Sequence, residues 1–211
     1  MSNRIFLLSP ANCGGTRAKR VVSDEAQFPL AEQLRTPAGA SLGEVFSFVS
    51  GLYFRGKLAY ARRFSNPPDP TDRVVAGGVL VITPNAGLRA ADVAVTRESI
   101  QAFAGEPIDL ANASYRRPLE QGARTLCSSI GPDCDVVLLG SIASGKYVDI
   151  LDAVFGERLL FPSDFVGRGD MSRGGLMLRS AASREELPYV PVRGAVRHGK
   201  RPPKLGPLIG R

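Results

Sequence analysis

The chain has 211 residues, 44% of them hydrophobic, and a formal net charge of +7. That is enough apolar material for one sizeable domain with a core. No run of eighteen apolar residues occurs, so no membrane-spanning helix is expected. Three cysteines and a single histidine fit neither a disulfide framework nor the usual zinc spacings.

The charge is unevenly placed. Six of the 27 basic residues (Arg193, Arg197, Lys200, Arg201, Lys204 and Arg211) lie in 187–211, which holds no acidic residue; the rest of the chain carries 21 basic against 20 acidic. The basic character therefore belongs to a tail, and the body is not expected to bind polyanions generally. Proline, glycine and positive charge fill 187–211, predicting an extended or disordered segment after an α/β domain at 1–186. The apolar opening is too short for a signal peptide, and the cysteine count fits a reducing compartment, so a cytoplasmic protein is expected.

Ile5, Phe6, Leu7 and Leu8 open the chain as a short apolar strand. A loop of small residues follows: Ser9, Asn12, Cys13, Gly14, Gly15 and Thr16, with Arg17 beyond. Gly14 and Gly15 are expected to supply backbone conformations closed to other residues. From 18 to 64 the pattern is helical, with Ser41 and Glu44 spaced as a capping box and Gly51 and Gly56 interrupting. The prolines and aspartates of 66–72 mark a loop. A buried strand lies within 74–83, and Pro84, Asn85, Ala86 and Gly87 make a second small-residue turn at its exit. Thr96 is spaced to cap a helix through Phe103, stopped by Gly105. Pro118 suits the first turn of another helix, running to about Ile130.

The stretch 135–155 is the most informative. Val136, Val137, Leu138 and Leu139 form an unbroken apolar run, as a strand covered on both faces does. Gly140, Ser141, Ser144 and Gly145 turn the chain, and Tyr147, Ile150, Leu151 and Val154 recur at helical spacing. Residues 159–161 read as a further strand. The stretch 162–175, dense in glycine and charge, reads as a loop before Leu176, Met177 and Leu178 return to the core. Alternating strands and helices predict a single α/β domain, with a mostly parallel sheet flanked by helices in a Rossmann-like arrangement. Strand exits in such a sheet share one edge, so the three small-residue loops are expected to meet in one crevice.

Gly140, Gly145 and Lys146 nearly fit the phosphate-loop pattern, but Tyr147 stands where a magnesium-holding hydroxyl should follow. A looser anion-contacting loop is the reading that remains, against a tight structural turn. The expected ligand-binding set is Ser9, Asn12, Gly14, Gly15, Arg17, Asn85, Gly140, Ser141, Ser144, Gly145 and Lys146. Asp164, Arg168, Asp170 and Arg173 supply the expected chemistry: a carboxylate for general acid–base work and a guanidinium to grip phosphate. The bland alternative is a salt-bridged surface loop. Cys13 and the loop serines lack a nearby histidine base.

The sequence thus predicts an enzyme binding a nucleotide, nucleoside or other phosphorylated small molecule at the strand ends. Hydrolysis or group transfer at a glycosidic or phosphate bond fits best; no cofactor, metal or membrane partner is indicated. The alternative is a non-catalytic nucleic-acid-binding protein. It would use the basic tail and a face built from Tyr53, Phe54, Arg55, Lys57, Tyr60, Arg62 and Arg63, where aromatics stack bases and cations meet phosphates. The favoured reading of that face is the plainer one, aromatics in the core and charges solvated, and the tail equally suits a solubilising or partner-binding arm. A third reading is a scaffold subunit whose glycine loops are only turns.

Overall fold

Nearly every residue of four short apolar runs is buried, so both faces of the strands they form are covered. The computed structural model describes residues 2–203 and 205–206; Met1, Lys204 and 207–211, the end of the expected basic tail, lie outside the described residues. In chain order the elements are β1 (Asn3–Leu8), α1 (Thr16–Val21), α2 (Pro29–Leu34), β2 (Ala40–Ser41), α3 (Leu42–Ser50), α4 (Leu52–Phe64), β3 (Val79–Ile82) and β4 (Leu88–Ala90). They continue as β5 (Ala94–Val95), α5 (Arg97–Ala104), α6 (Ala113–Ile130), β6 (Cys134–Leu139), α7 (Gly145–Phe155), β7 (Leu159–Pro162), α8 (Asp170–Ser183) and β8 (Tyr189–Pro191).

The protein is α/β, with a six-stranded sheet in the order β4-β3-β1-β6-β7-β8. The four inner strands run parallel; β4 and β8 close the two edges antiparallel. β2 and β5 form a separate two-stranded ribbon. The order reverses beside β1: the chain leaves β1 for β3 on one side and reaches β6 on the other. The exits of β1 and β6 therefore flank a switch point, where open α/β sheets usually leave a crevice. No helix among the described residues is long and apolar enough to cross a membrane.

Several local expectations change. The helical stretch 18–64 divides into four helices, and Gly51, with φ of +62°, makes the break between α3 and α4. Ser41 precedes α3, but its hydroxyl donates to the Ala91 carbonyl at 3.0 Å instead of capping the helix. Asn112 caps α6 through its side chain, accepting from Ser114 N–H at 3.1 Å, so Pro118 sits in the second turn and not the first. Residues 170–175 belong to α8 and are not a loop. Composition assigned 187–211 to a tail, yet Leu187 and Val192 are buried and β8 pairs with β7, so the sheet continues past 186.

Glycine density misled at α8 because its cause is a contact distant in sequence. Gly56 on α4 faces Gly174 on α8, and the two backbones touch. A Cβ on Gly174 would lie 2.7 Å from the Leu52 carbonyl oxygen and 2.9 Å from Tyr53 Cα; one on Gly56 would lie 2.6 Å from the Gly174 oxygen. Backbone atoms cannot yield as a flexible side-chain end can. Gly174→Ala is therefore expected to destabilise the fold by about 1–3 kcal/mol. Gly105→Ala, where φ is −79° and contacts are ordinary, should stay within about 1 kcal/mol of the parent. Urea unfolding of the two variants checks both values.

Candidate functional site

The register of β1 on β6 pairs Leu8 with Leu139, so Ser9 and Gly140 leave the sheet side by side. Ser9 N–H donates to the Leu139 carbonyl at 3.1 Å, which locks the two exits together. Gly140 is required by this closeness: a Cβ there would lie 2.8 Å from Ser9 Cβ and 2.9 Å from the Tyr147 hydroxyl. That hydroxyl accepts from Ser141 N–H at 3.1 Å and donates to the Ser141 carbonyl at 2.8 Å. The residue that breaks the phosphate-loop pattern is thus the one that pins the loop over the first turn of α7.

Beneath this junction sits Lys57, from α4, with 1% of its surface exposed. Its Nζ lies 2.7 Å from the Ser9 carbonyl oxygen and 2.9 Å from Ser9 Oγ. The Tyr53 and Phe54 rings flank it, with centroids 4.5 and 4.7 Å away. No carboxylate makes an ion pair with it among the described residues. Burial pushes the amine down to about 7, opposed in part by the negative charge of Asp170.

Asp170 and Arg173 reach the same place from α8, brought there by the glycine crossing. They occupy its first turn, their charged groups 3.9 Å apart, with Asp170 exposed and Arg173 mostly covered. Arg173 donates from Nε to the Phe165 carbonyl at 3.2 Å, lies over the Phe165 ring and reaches towards Tyr53 without completing a hydrogen bond. The Tyr53 hydroxyl is buried with no partner, and burial holds its proton on well above the usual phenol range. The assembled group is Ser9, Tyr53, Lys57, Gly140, Ser141, Tyr147, Asp170 and Arg173.

The other expected residues lie elsewhere or serve the backbone. Asn12 accepts from Gly14 N–H at 3.1 Å and, through its carbonyl, from Gly15 N–H at 3.2 Å, so it shapes its own turn. Neither glycine has a positive φ, which removes the conformational reason for expecting them there. Asn85 sits in the β3–β4 hairpin turn, which Thr83 closes and which packs on α6 at Pro118. Ser144 precedes α7 without a side-chain cap, Gly145 begins it, and Lys146 is exposed. Asp164 is exposed; its carbonyl accepts from Arg168 Nε at 2.9 Å, and Arg168 also donates to Ser172 Oγ at 3.2 Å. Arg17 lines a separate cavity with Arg20 and Arg55. Cys13 is buried, and burial pushes its thiol up to about 12, far from a nucleophilic thiolate.

The aromatic–basic face that base stacking would need is not an open surface, and its aromatics are core as the plainer reading has it. Tyr53, Phe54, Lys57 and Tyr60 are buried, and only Arg55, Arg62 and Arg63 are exposed. Lys57, grouped by charge type with the arginines of that face, belongs instead to the switch point. Its signal was its place on the helix, four residues after Tyr53 and three before Tyr60, on the stripe that faces the core. No family model, curated protein or solved structure matches the chain. The geometry of the switch point therefore carries the functional argument.

The buried amine has a measurable consequence. In the unfolded chain a lysine titrates near its ordinary 10.5; in the fold Lys57 titrates at about 7. Between these values the unfolded state binds the extra proton, so stability rises with pH across the window and is flat below it. Unfolding free energies measured by urea at pH 7, 8 and 9 should climb in the parent relative to Lys57→Met by about 1 kcal/mol per pH unit. Parallel curves would mean that the amine is solvated.

Proposed function

We propose that this protein is an enzyme of Rossmann-like type that binds a nucleotide, nucleoside or other phosphorylated small molecule at the carboxyl ends of β1 and β6. It catalyses hydrolysis or group transfer at a glycosidic or phosphate bond. The observation that carries this reading is Lys57: a buried amine with no paired carboxylate, bound only to Ser9, at the switch point of the sheet. A buried cation without a counter-charge is costly, and an anion arriving at the strand ends supplies one.

The residues divide the work by chemistry. Charged, Lys57 lends positive potential to a phosphate over the 140–144 loop. Neutral, it accepts a proton from the Ser9 hydroxyl, 2.9 Å away. Asp170 is the exposed acid–base group at the rim, and Arg173, its guanidinium fork facing it, fixes phosphate charge. Three free cysteines fit a reducing compartment, consistent with the cytoplasm.

A thermal-shift panel of nucleotides, nucleosides and sugar phosphates tests the reading, because a ligand that binds only the native state raises its apparent stability. At least one phosphorylated compound should raise the melting temperature by several degrees at pH 7. The shift should shrink at pH 9, where Lys57 has lost its charge, and vanish in Lys57→Met and Arg173→Gln. Chromatography of the active ligand should then show turnover that Asp170→Asn slows by about a hundred-fold or more. A panel without any shift overturns the proposal.

A further inference from the structure

On the far side of α4 from Lys57 lies a cavity of about 470 Å³ that shares no residue with the switch-point group. Its lining is Arg17, Arg20, Ser47, Phe48, Gly51 and Arg55. Positions two apart on a helix point nearly opposite ways, so Arg55 is exposed where Lys57 is buried, and Gly51 is the buried residue of the α3–α4 break.

The cavity is built around positive charge. Gly51 has φ of +62°, and the Arg17 guanidinium lies where a side chain on Gly51 would stand. The positive φ makes this a glycine position, and the Arg17 side chain crosses the α3–α4 break over it. Arg20 is steered by the Phe28 ring, 5.8 Å from its centroid, and Phe28 stacks on Phe48 at 5.1 Å. None of the three arginines makes an ion pair among the described residues. Ser47 also lines the cavity, and its Oγ is buried without a hydrogen-bond partner. Three like charges around one hollow repel each other, and a buried hydroxyl without an acceptor is unsatisfied. One ligand chemistry answers both conditions: an oxyanion with several acceptor oxygens.

We infer that this cavity is a second anion site that takes a phosphate-bearing ligand, gripped by Arg17, Arg20 and Arg55 and accepting from Ser47. Guanidinium forks bind phosphate oxygens in pairs, which lysines do not reproduce. The phosphate comes from a free polyphosphorylated compound or from a nucleic-acid backbone, and the experiment separates the two.

Titration calorimetry with inorganic tripolyphosphate at about 50 mM salt, where exposed charges are weakly screened, reads the site directly. Arg17→Ser and Arg55→Ser should each weaken binding about ten-fold, and Arg55→Lys nearly as much despite its kept charge. Arg63→Ser removes one exposed charge from the same helix, outside the cavity, and should change binding by less than about two-fold. Lys57→Met should leave this binding intact, so failure of the switch-point reading does not decide this one. A labelled single-stranded oligonucleotide whose binding is lost in the same variants marks a nucleic-acid source. Tripolyphosphate binding without oligonucleotide binding marks a free compound. No binding of either by the parent, or equal losses in Arg63→Ser and Arg55→Ser, overturns the inference.

Discussion

A lysine taken out of water must find acceptors, find a counter-charge or give up its proton. Lys57 has the first in Ser9 and lacks the second, so it holds its proton weakly. The rest of the arrangement follows from that tether. For Nζ to reach both oxygens of one residue, α4 must lie across the exit of β1. For α4 to lie there and still pack, α8 must approach backbone to backbone, which Gly56 and Gly174 permit. That approach carries Asp170 and Arg173 to the strand ends, although they stand more than a hundred residues from Lys57 in the chain. The neighbouring exit of β6 is held by Ser9 N–H and by the Tyr147 hydroxyl, with Gly140 giving the room. One buried charge, one helix crossing and one residue without a side chain thus define a single locus.

The inner strands were legible because burial on both faces leaves an unbroken apolar run: Val79 to Ile82 and Val136 to Leu139 read as strands without any help. The edge strands were not. Leu88–Ala90 and Tyr189–Pro191 are three residues each and mostly half-buried or exposed, so neither an apolar run nor an alternation reveals them. Tyr189 to Pro191 was further masked by the basic composition after it. Helix α8 was hidden for another reason. Glycine weakens a helix in isolation, and only the contact with α4 explains why Gly174 stands inside one.

The loops of the candidate site could be found by their small residues, and Ser9, Gly140 and Ser141 do adjoin. The grounds were partly different from those expected. Gly14 and Gly15 adopt ordinary backbone angles, whereas Gly140 matters for close approach. Lys57 read only as one cation of the Tyr53–Arg63 face, because a basic residue among arginines reads as surface. Helical phase corrects this: Tyr53, Lys57 and Tyr60 fall on one stripe, and Arg55, Arg62 and Arg63 fall off it. Charge counted along a sequence is blind to such phase, and charge placed on a helix is not.

Helix α4 consequently separates two kinds of positive charge. Inward is an amine whose proton comes and goes near neutrality. Outward is Arg55, joined by Arg17 and Arg20, whose guanidinium forks suit phosphate oxygens. An anion held by the inner group must supply enough attraction to keep the amine protonated, so its affinity is linked to proton uptake and weakens as pH rises. An anion held by the outer group is not so linked and answers mainly to salt. If both proposed sites hold anions, a rise in pH releases the one at the strand ends while the arginine cavity keeps its own, so the two faces of one helix would respond to different conditions.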